Sequence, residues 1–139
     1  MLALCDYLTP NESEAEALTG LPVTNPDEAK AAAQALLAKG VGAVVITLGG
    51  QGALYHDGQR TLHAPIIPAG KVVDTTGAGD AFRVGFIYGL ITGSTIEESC
   101  RMANAVASLK CRALGARTSL PDVAELTEML NASAQSGDV

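Results

Sequence analysis

Residues 73–82 have the sequence Val-Asp-Thr-Thr-Gly-Ala-Gly-Asp-Ala-Phe. The run Lys71–Val73 leads into it and predicts a strand, and the apolar segment Ala81–Ile91 follows it and predicts a helix. A strand that passes through a Gly-rich turn into a helix directs free backbone N–H groups, and the positive end of the helix dipole, at one point. Such an arrangement favours anionic oxygens, and phosphate is their usual source.

Asp80 closes the Gly-rich turn, although a carboxylate there would repel a bound phosphate. The position is explained if Asp80 accepts a proton from a hydroxyl while the N–H groups hold the phosphoryl group that the hydroxyl attacks. The alternative is that Asp80 only complements the helix dipole, because acidic residues are favoured in the first turn of a helix. The four residues Gly-Ala-Gly-Asp leave both interpretations open.

Length and net charge indicate how many domains the chain forms and which partners it does not suit. The chain has 139 residues, of which 47% are hydrophobic, and a net charge of −6. This length predicts one domain over residues 1–132, followed by a frayed polar tail over residues 133–139. The acidic charge, without any basic run, argues against a nucleic acid or an anionic membrane as partner.

Membrane and disulfide signals are absent from the sequence. No apolar run approaches the roughly 18 residues that suggest a membrane span. The three cysteines, Cys5, Cys100 and Cys111, lack the spacing of a zinc site or a redox pair. We therefore expect a cytoplasmic protein with reduced thiols.

Helices are predicted from their end signals. Asn25 precedes Pro26 and Glu28, which is typical of a capped helix start. Ser94 and Glu97 have the spacing of a capping box and predict a helix over residues 95–110.

Strands alternate with these helices and predict an α/β fold. The β-branched run over residues 41–48 is typical of a strand buried on both faces. Asp57-Gly58-Gln59 separates two further strands and predicts a hairpin. His56 and His63 alternate with apolar residues on these strands, and both are expected at the surface or the sheet edge.

A dinucleotide-binding oxidoreductase is not favoured, because no G-x-G-x-x-G follows the first strand.

The nine residues D-T-T-G-A-G-D-A-F, at positions 74–82, resemble the second signature of the PfkB, or ribokinase-like, carbohydrate kinases. The resemblance implies a three-layer α-β-α ribokinase-like fold and transfer of the γ-phosphoryl group of ATP to a hydroxyl of a small sugar. It assigns the general base to Asp80. It assigns the anion hole to Gly77, Ala78 and Gly79.

Three further stretches match family motifs for nucleotide and magnesium. From the residues alone, Asn11 and Glu14 are explained by helix capping. Asn11-x-x-Glu14 also resembles the family's N-x-x-E, which orients Mg²⁺ and phosphate mostly through water. Thr47 and Gly49 lie in a T-L-G-x-x-G stretch that in the family contacts nucleotide phosphate and ribose. Asn104 matches a residue beside the family's adenine site, or is a polar residue on the outer face of its helix.

The stretch G-A-R-T-S-L-P at positions 115–121 resembles the C-terminal motif with which many family members bind potassium. Asp74 and Ser119 are the implied side-chain ligands of this monovalent cation, and the carbonyl groups near Thr76, Arg112 and Gly115 complete the set. Ser119 is also placed to cap the last predicted helix, over residues 122–130.

The resemblance covers about half of a complete family member. It implies that the N-terminal half, with most of the sugar-binding residues and the lid, is lacking. The first strand would then be an exposed sheet edge, and we expect a homo-oligomer or a partner chain to cover it. Arg83 and Val84 stand where family members have small or polar residues, and they are expected to crowd the first helical turn. The arginine adds charge close to the phosphate site, where it would either assist nucleotide binding or disturb the anion hole. The alternative to an active kinase is therefore a truncated, non-catalytic nucleotide-binding module.

Overall fold

The computed structural model describes residues 5–68, 70, 72–75, 77–112 and 123–135. The chain divides into two compact units, Met1–Pro65 and Ile66–Val139. The single domain expected over residues 1–132 stays a prediction.

The first unit contains a four-stranded mixed sheet with the strand order β1-β2-β3-β4. Its strands are β1 (Tyr7–Leu8), β2 (Ala43–Thr47), β3 (Ala53–His56) and β4 (Thr61–Ala64). β1 pairs with β2 in parallel, whereas β2–β3 and β3–β4 are antiparallel. The predicted hairpin around Asp57-Gly58-Gln59 is confirmed, and Gly58 adopts a left-handed φ of 93° in that turn.

Helices α1 (Glu12–Thr19) and α2 (Pro26–Leu37) pack against this sheet. The side chain of Asn25 accepts a hydrogen bond from the Glu28 N–H at 2.9 Å, and Pro26 occupies the first position of α2, as predicted. The core combines small helix residues with β-branched and leucine residues of the sheet, which allows α2 to lie close to β2 and β3. It consists of Ala15, Val23, Ala29, Ala32, Ala33, Leu36, Val41, Val44, Ile46, Leu48 and Leu54.

The two histidines of the hairpin differ in exposure. His63 lies exposed on β4, an outer strand of the described sheet, as expected. The expectation for His56 is wrong, because this residue is buried and its Nδ1 lies 2.8 Å from Thr61 Oγ1. β3 is an inner strand, and all four of its residues are buried.

The second unit is helical in its described part, with α3 (Ala78–Ile91), α4 (Ile96–Lys110) and α5 (Val123–Gln135). α3 and α4 pack closely at two glycines that lie four residues apart on α3. A Cβ atom on Gly85 would lie 2.8 Å from Ala103 Cα, and one on Gly89 would lie 2.8 Å from Ser99 Cα. Backbones can approach this closely only where a side chain is missing.

Helix boundaries in this unit differ from the predicted ones. The capping box of α4 is formed by Thr95 and Glu98, one residue later than the predicted Ser94 and Glu97. α5 continues to Gln135, beyond the predicted end at residue 130. None of the helices in the described ranges is both long and apolar enough to cross a membrane.

The segment before α3 is not the predicted strand. Val72–Thr75 has no regular secondary structure, and Lys71 lies outside the described residues. The backbone N–H groups of Val73 and Asp74 instead donate to the Cys111 carbonyl, at 2.7 and 3.2 Å. The end of α4 therefore provides the acceptor that a neighbouring strand would have provided.

Candidate active site

The N-terminus of α3 is built by the Gly-rich turn. Gly77 is the N-cap residue and has the left-handed conformation that glycine favours (φ 79°, ψ 4°). The Ala78 N–H donates to the Thr75 carbonyl at 3.1 Å, and the Ala81 N–H makes the first helical bond, to Gly77, at 2.9 Å. The N–H groups of the residues between them have no acceptor within the helix, because the first turn of a helix lacks one. N–H groups in this position at a helix N-terminus favour an anion.

Gly79 lies in the middle of this turn and is exposed. Its φ is not among the left-handed values, and a Cβ atom built on it would meet nothing within 4 Å. Neither backbone conformation nor packing therefore requires glycine at this position. A missing side chain there leaves the backbone open to close approach by a ligand.

The Asp80 carboxylate stands in the first turn of α3, with 84% of its side chain exposed. Arg83 Nη1 donates to Asp80 Oδ1 at 2.9 Å. The expectation that Arg83 and Val84 crowd the first turn is wrong, because α3 begins at Ala78 and both residues fall in its second turn. Val84 is 55% exposed, so its side chain does not fill the turn.

A second group of predicted residues meets where β1 and β2 end in the first unit. The Thr47 N–H donates to the Pro10 carbonyl at 3.0 Å, and Asn11 and Thr47 form a parallel bridge. The start of α1 therefore lies beside the Gly-rich turn that follows β2. This is the edge at which open α/β sheets bind ligands.

Asn11 and Glu14 form a capping box at the start of α1. Asn11 Oδ1 accepts from the Glu14 N–H at 2.8 Å, and Glu14 Oε2 accepts from the Asn11 N–H at 2.9 Å. The capping interpretation is thus confirmed, and the role in magnesium binding stays a prediction. Among the described residues, no group of three or more His, Cys, Asp or Glu side chains is placed to hold a metal ion.

Gly49 was predicted from the sequence, but its acidic neighbour was not. Gly49 has a left-handed φ of 53°, and a Cβ atom built on it would lie 3.5 Å from Glu12 Oε1. Glu12 therefore places a carboxylate beside the predicted phosphate-contacting turn. The only sequence signal for it was the enrichment of acids in the first turn of α1.

The predicted potassium ligands are described only in part. Thr76, Gly115 and Ser119 lie outside the described residues. The Asp74 N–H contacts the Cys111 carbonyl, so Asp74 lies beside the chain that leads into Arg112. The Arg112 side chain itself pairs with Glu125 at 3.6 Å.

Two further side chains on α4 are buried. Asn104 is only 4% exposed, so the alternative of a polar outer-face residue is wrong, and its place beside adenine stays a prediction. Burial raises the pKa of the Cys111 thiol; the Lys110 ammonium opposes this shift and the Asp74 carboxylate adds to it. Cys111, like Cys100 and Cys5, forms no disulfide.

Comparison with known proteins identifies the family. Residues 1–123 match the description "pfkB family carbohydrate kinase". The chain belongs to this family. The resemblance found in the sequence, including the ribokinase-like α/β fold, is thereby confirmed. Ribokinase from Arabidopsis thaliana is 39% identical over 134 residues, which are 96% of this chain and 35% of that protein.

Solved structures of pfkB family members agree with the sequence comparison. Arabidopsis thaliana ribokinase in complex with ribose and ATP superimposes with a TM-score of 0.89 at 38% identity, over 93% of this chain and 42% of that one. A double mutant of Vibrio cholerae O395 fructokinase, bound to fructose, ADP and potassium, gives a TM-score of 0.80 at 32% identity, over 92% and 41%. The chain thus spans less than half the length of the relatives that it matches.

Proposed function

We propose that this chain is the nucleotide-binding and general-base portion of an ATP-dependent sugar kinase. The observation that carries the proposal is the N-terminus of α3. There Gly79 is open on its Cβ side, an exposed Asp80 carboxylate follows it, and helix N–H groups lack intrahelical acceptors. Membership in the pfkB family and the ATP bound to the Arabidopsis relative support this assignment.

In the proposed reaction, Asp80 accepts the proton of a sugar hydroxyl. The hydroxyl oxygen then forms a bond to the γ-phosphorus of ATP, and the bond from that phosphorus to the ADP oxygen breaks. The Gly77-Ala78-Gly79 turn is assigned to the transferred phosphoryl oxygens, where preorganised donors stabilise developing charge. The Gly79 amide lacks an acceptor within the helix. The Ala78 amide would have to leave the Thr75 carbonyl to take up this role.

The nucleotide contacts are assigned to Thr47, Gly49 and Asn104. Magnesium, when bound with ATP, would neutralise phosphate charge, and Asn11 and Glu14 would hold its water shell. The residues fit this outer-sphere role, because the capping box fixes both oxygen-bearing side chains at the start of α1, next to Thr47.

A monovalent cation, potassium in the related fructokinase structure, is assigned to the segment around Asp74. The described members fit in part: Asp74 supplies a carboxylate, and its backbone lies against the end of α4 that continues to Arg112. Thr76, Gly115 and Ser119 complete the proposed set.

The proposal extends to partners and location. The acceptor is a small sugar such as ribose or fructose, which two of the structural relatives bind. β1 is an outer strand of the described sheet and Tyr7 on it is 40% exposed, which favours a second copy or a partner chain at this edge. The chemistry of ATP and a phosphorylated sugar suits the cytoplasm.

The test is ATP binding and ADP release by the chain, with magnesium and potassium, against a panel of pentoses and hexoses. Sugar-dependent ADP release that disappears in Asp80→Asn supports the kinase. Turnover that persists in Asp80→Asn would remove Asp80 as the base.

A second candidate function is favoured by one observation, namely that the chain spans 35–42% of the first relatives' lengths. A nucleotide-binding module that needs a partner for the sugar half would bind ATP without sugar-dependent turnover. The same assay separates the two functions. A chain that fails to bind ATP at all would refute both.

A further inference from the structure

The ion pair between Asp80 and Arg83 has no evident role in stability. Arg83 lies in the second turn of α3, beyond the first turn in which the helix dipole acts on charged side chains. An ion pair whose carboxylate partner is 84% exposed contributes little to folding, because water screens it. The position of Arg83 therefore calls for an explanation other than stability.

The chemistry of the guanidinium supplies one. Arginine presents five N–H donors in a rigid planar fork that matches the oxygens of phosphate, and it keeps its charge at all accessible pH values. The Arg83 side chain is 37% exposed, and Asp80 holds its Nη1 within one helical turn of the open Gly79 backbone. A phosphoryl group bound there would face the N–H groups, the Asp80 carboxylate and this guanidinium together.

A fixed cation of the protein would reduce the charge repulsion at this point. The Asp80 carboxylate repels a phosphate that binds to the adjacent N–H groups, and the helix dipole offsets only part of that repulsion. The Arg83 guanidinium is the fixed positive charge that the structure places directly on this carboxylate.

We propose that Arg83 is a phosphate-binding residue of the α3 site, which pairs with Asp80 in the free chain and contacts the terminal phosphate of a bound nucleoside triphosphate. Transfer of the guanidinium to the phosphate releases the Asp80 carboxylate to act as base when the nucleotide is present. The inference rests on the proposed function and adds to it a residue that recognises the terminal phosphate.

The affinities of the chain for ATP, ADP and AMP, measured by isothermal titration calorimetry with magnesium present, test the proposal. Arg83→Ala is expected to weaken ATP binding about tenfold, the scale of one lost hydrogen bond between charged groups. AMP binding should change little, because AMP lacks the terminal phosphates. Arg83→Lys keeps the charge without the planar fork, so its ATP affinity should lie between those of the wild type and Arg83→Ala. Arg101→Ala removes the same charge from α4, where Arg101 contacts the Leu130 carbonyl, and should leave ATP binding unchanged.

An Asp80→Asn background separates phosphate binding from simple neutralisation of Asp80. If Arg83 contacts phosphate, Arg83→Ala still weakens ATP binding in that background. Loss of the effect there would overturn the proposal, and so would wild-type ATP affinity in Arg83→Ala. Without nucleotide, the thermal unfolding temperatures of the wild type and of Arg83→Ala should be nearly the same. If Arg83→Ala does not fold, Arg83→Gln takes its place. A wild-type chain that does not bind ATP would instead refute the proposed function, and this inference with it.

Discussion

Replacing Gly79 by alanine should separate ligand binding from folding at the start of α3. A Cβ atom at this position meets nothing within 4 Å, and the backbone is not in the left-handed region. Alanine is favoured over glycine by about 1 kcal/mol in a helix interior, and by less near a helix end. The free energy of unfolding should therefore stay the same or rise by roughly 0.5 kcal/mol.

The same methyl group should impair phosphate binding. Cα–Cβ bonds in a helix tilt toward its N-terminus, so the methyl group projects to the side that the free N–H groups face. A phosphate held away from these N–H groups loses a charge-assisted hydrogen bond, worth about 1.5–3 kcal/mol. ATP affinity, measured by titration calorimetry with magnesium, should fall roughly ten- to a hundredfold.

Gly85→Ala is the matched control, since it makes the same substitution six residues later in α3. Its Cβ atom would lie 2.8 Å from Ala103 Cα and 3.0 Å from the Met102 carbonyl oxygen. Overpacking costs about 1–3 kcal/mol, and the gain in helix propensity returns about 1 kcal/mol, so a net loss of about 1 kcal/mol is expected in urea unfolding. ATP affinity of the folded protein should be unchanged. Full ATP affinity in Gly79→Ala would refute the assignment of an anion site to this turn.

Three further predictions concern the helix caps, the hairpin turn at Asp57 and the reactivity of the cysteine thiols. Asn11→Ala and Thr95→Ala each remove a helix cap and should lower the free energy of unfolding by about 1 kcal/mol, but only the former should weaken Mg·ATP binding. Asp57→Ala should cost roughly 0.5 kcal/mol at neutral pH, because the carboxylate accepts two backbone N–H bonds of the hairpin, which lower its pKa. That contribution is present above the usual value of 3.8 and is lost as pH falls below it, so urea titrations at about pH 3 should show a smaller difference. Burial raises the pKa of Cys111, so iodoacetamide should label it more slowly than the half-buried Cys5, as mass spectrometry can measure.

The parts of the fold that the sequence predicted correctly have local causes. The cap at Asn25 and the turn after His56 depend on residues within four positions of each other. The left-handed turn at Gly58 likewise needs only the Asp-Gly pair that the sequence shows. Such signals are complete within a short window of sequence.

The errors arise where partners are distant in sequence. Val72 and Val73 have the composition of a strand, but their segment lies against the end of α4. There the Cys111 carbonyl accepts hydrogen bonds from the N–H groups of Val73 and Asp74. His56 alternates with apolar residues as a half-exposed strand would, yet β3 is an inner strand and buries it. Strand propensity depends on which neighbours cover each face, and the local sequence does not contain that information.

The interpretation of Arg83 depended on a three-residue difference in where α3 begins. With a helix starting at Ala81, Arg83 and Val84 fall in the first turn and crowd the phosphate. The helix starts at Ala78, because Gly77 supplies the left-handed cap, and Asp80 and Arg83 then become neighbours at i and i+3. Of the two roles that the sequence leaves open for Arg83, the structure favours assistance over obstruction, because the arginine pairs with the carboxylate of the site. An exposed i, i+3 ion pair contributes little to stability, so we expect the value of this arginine to lie in phosphate binding.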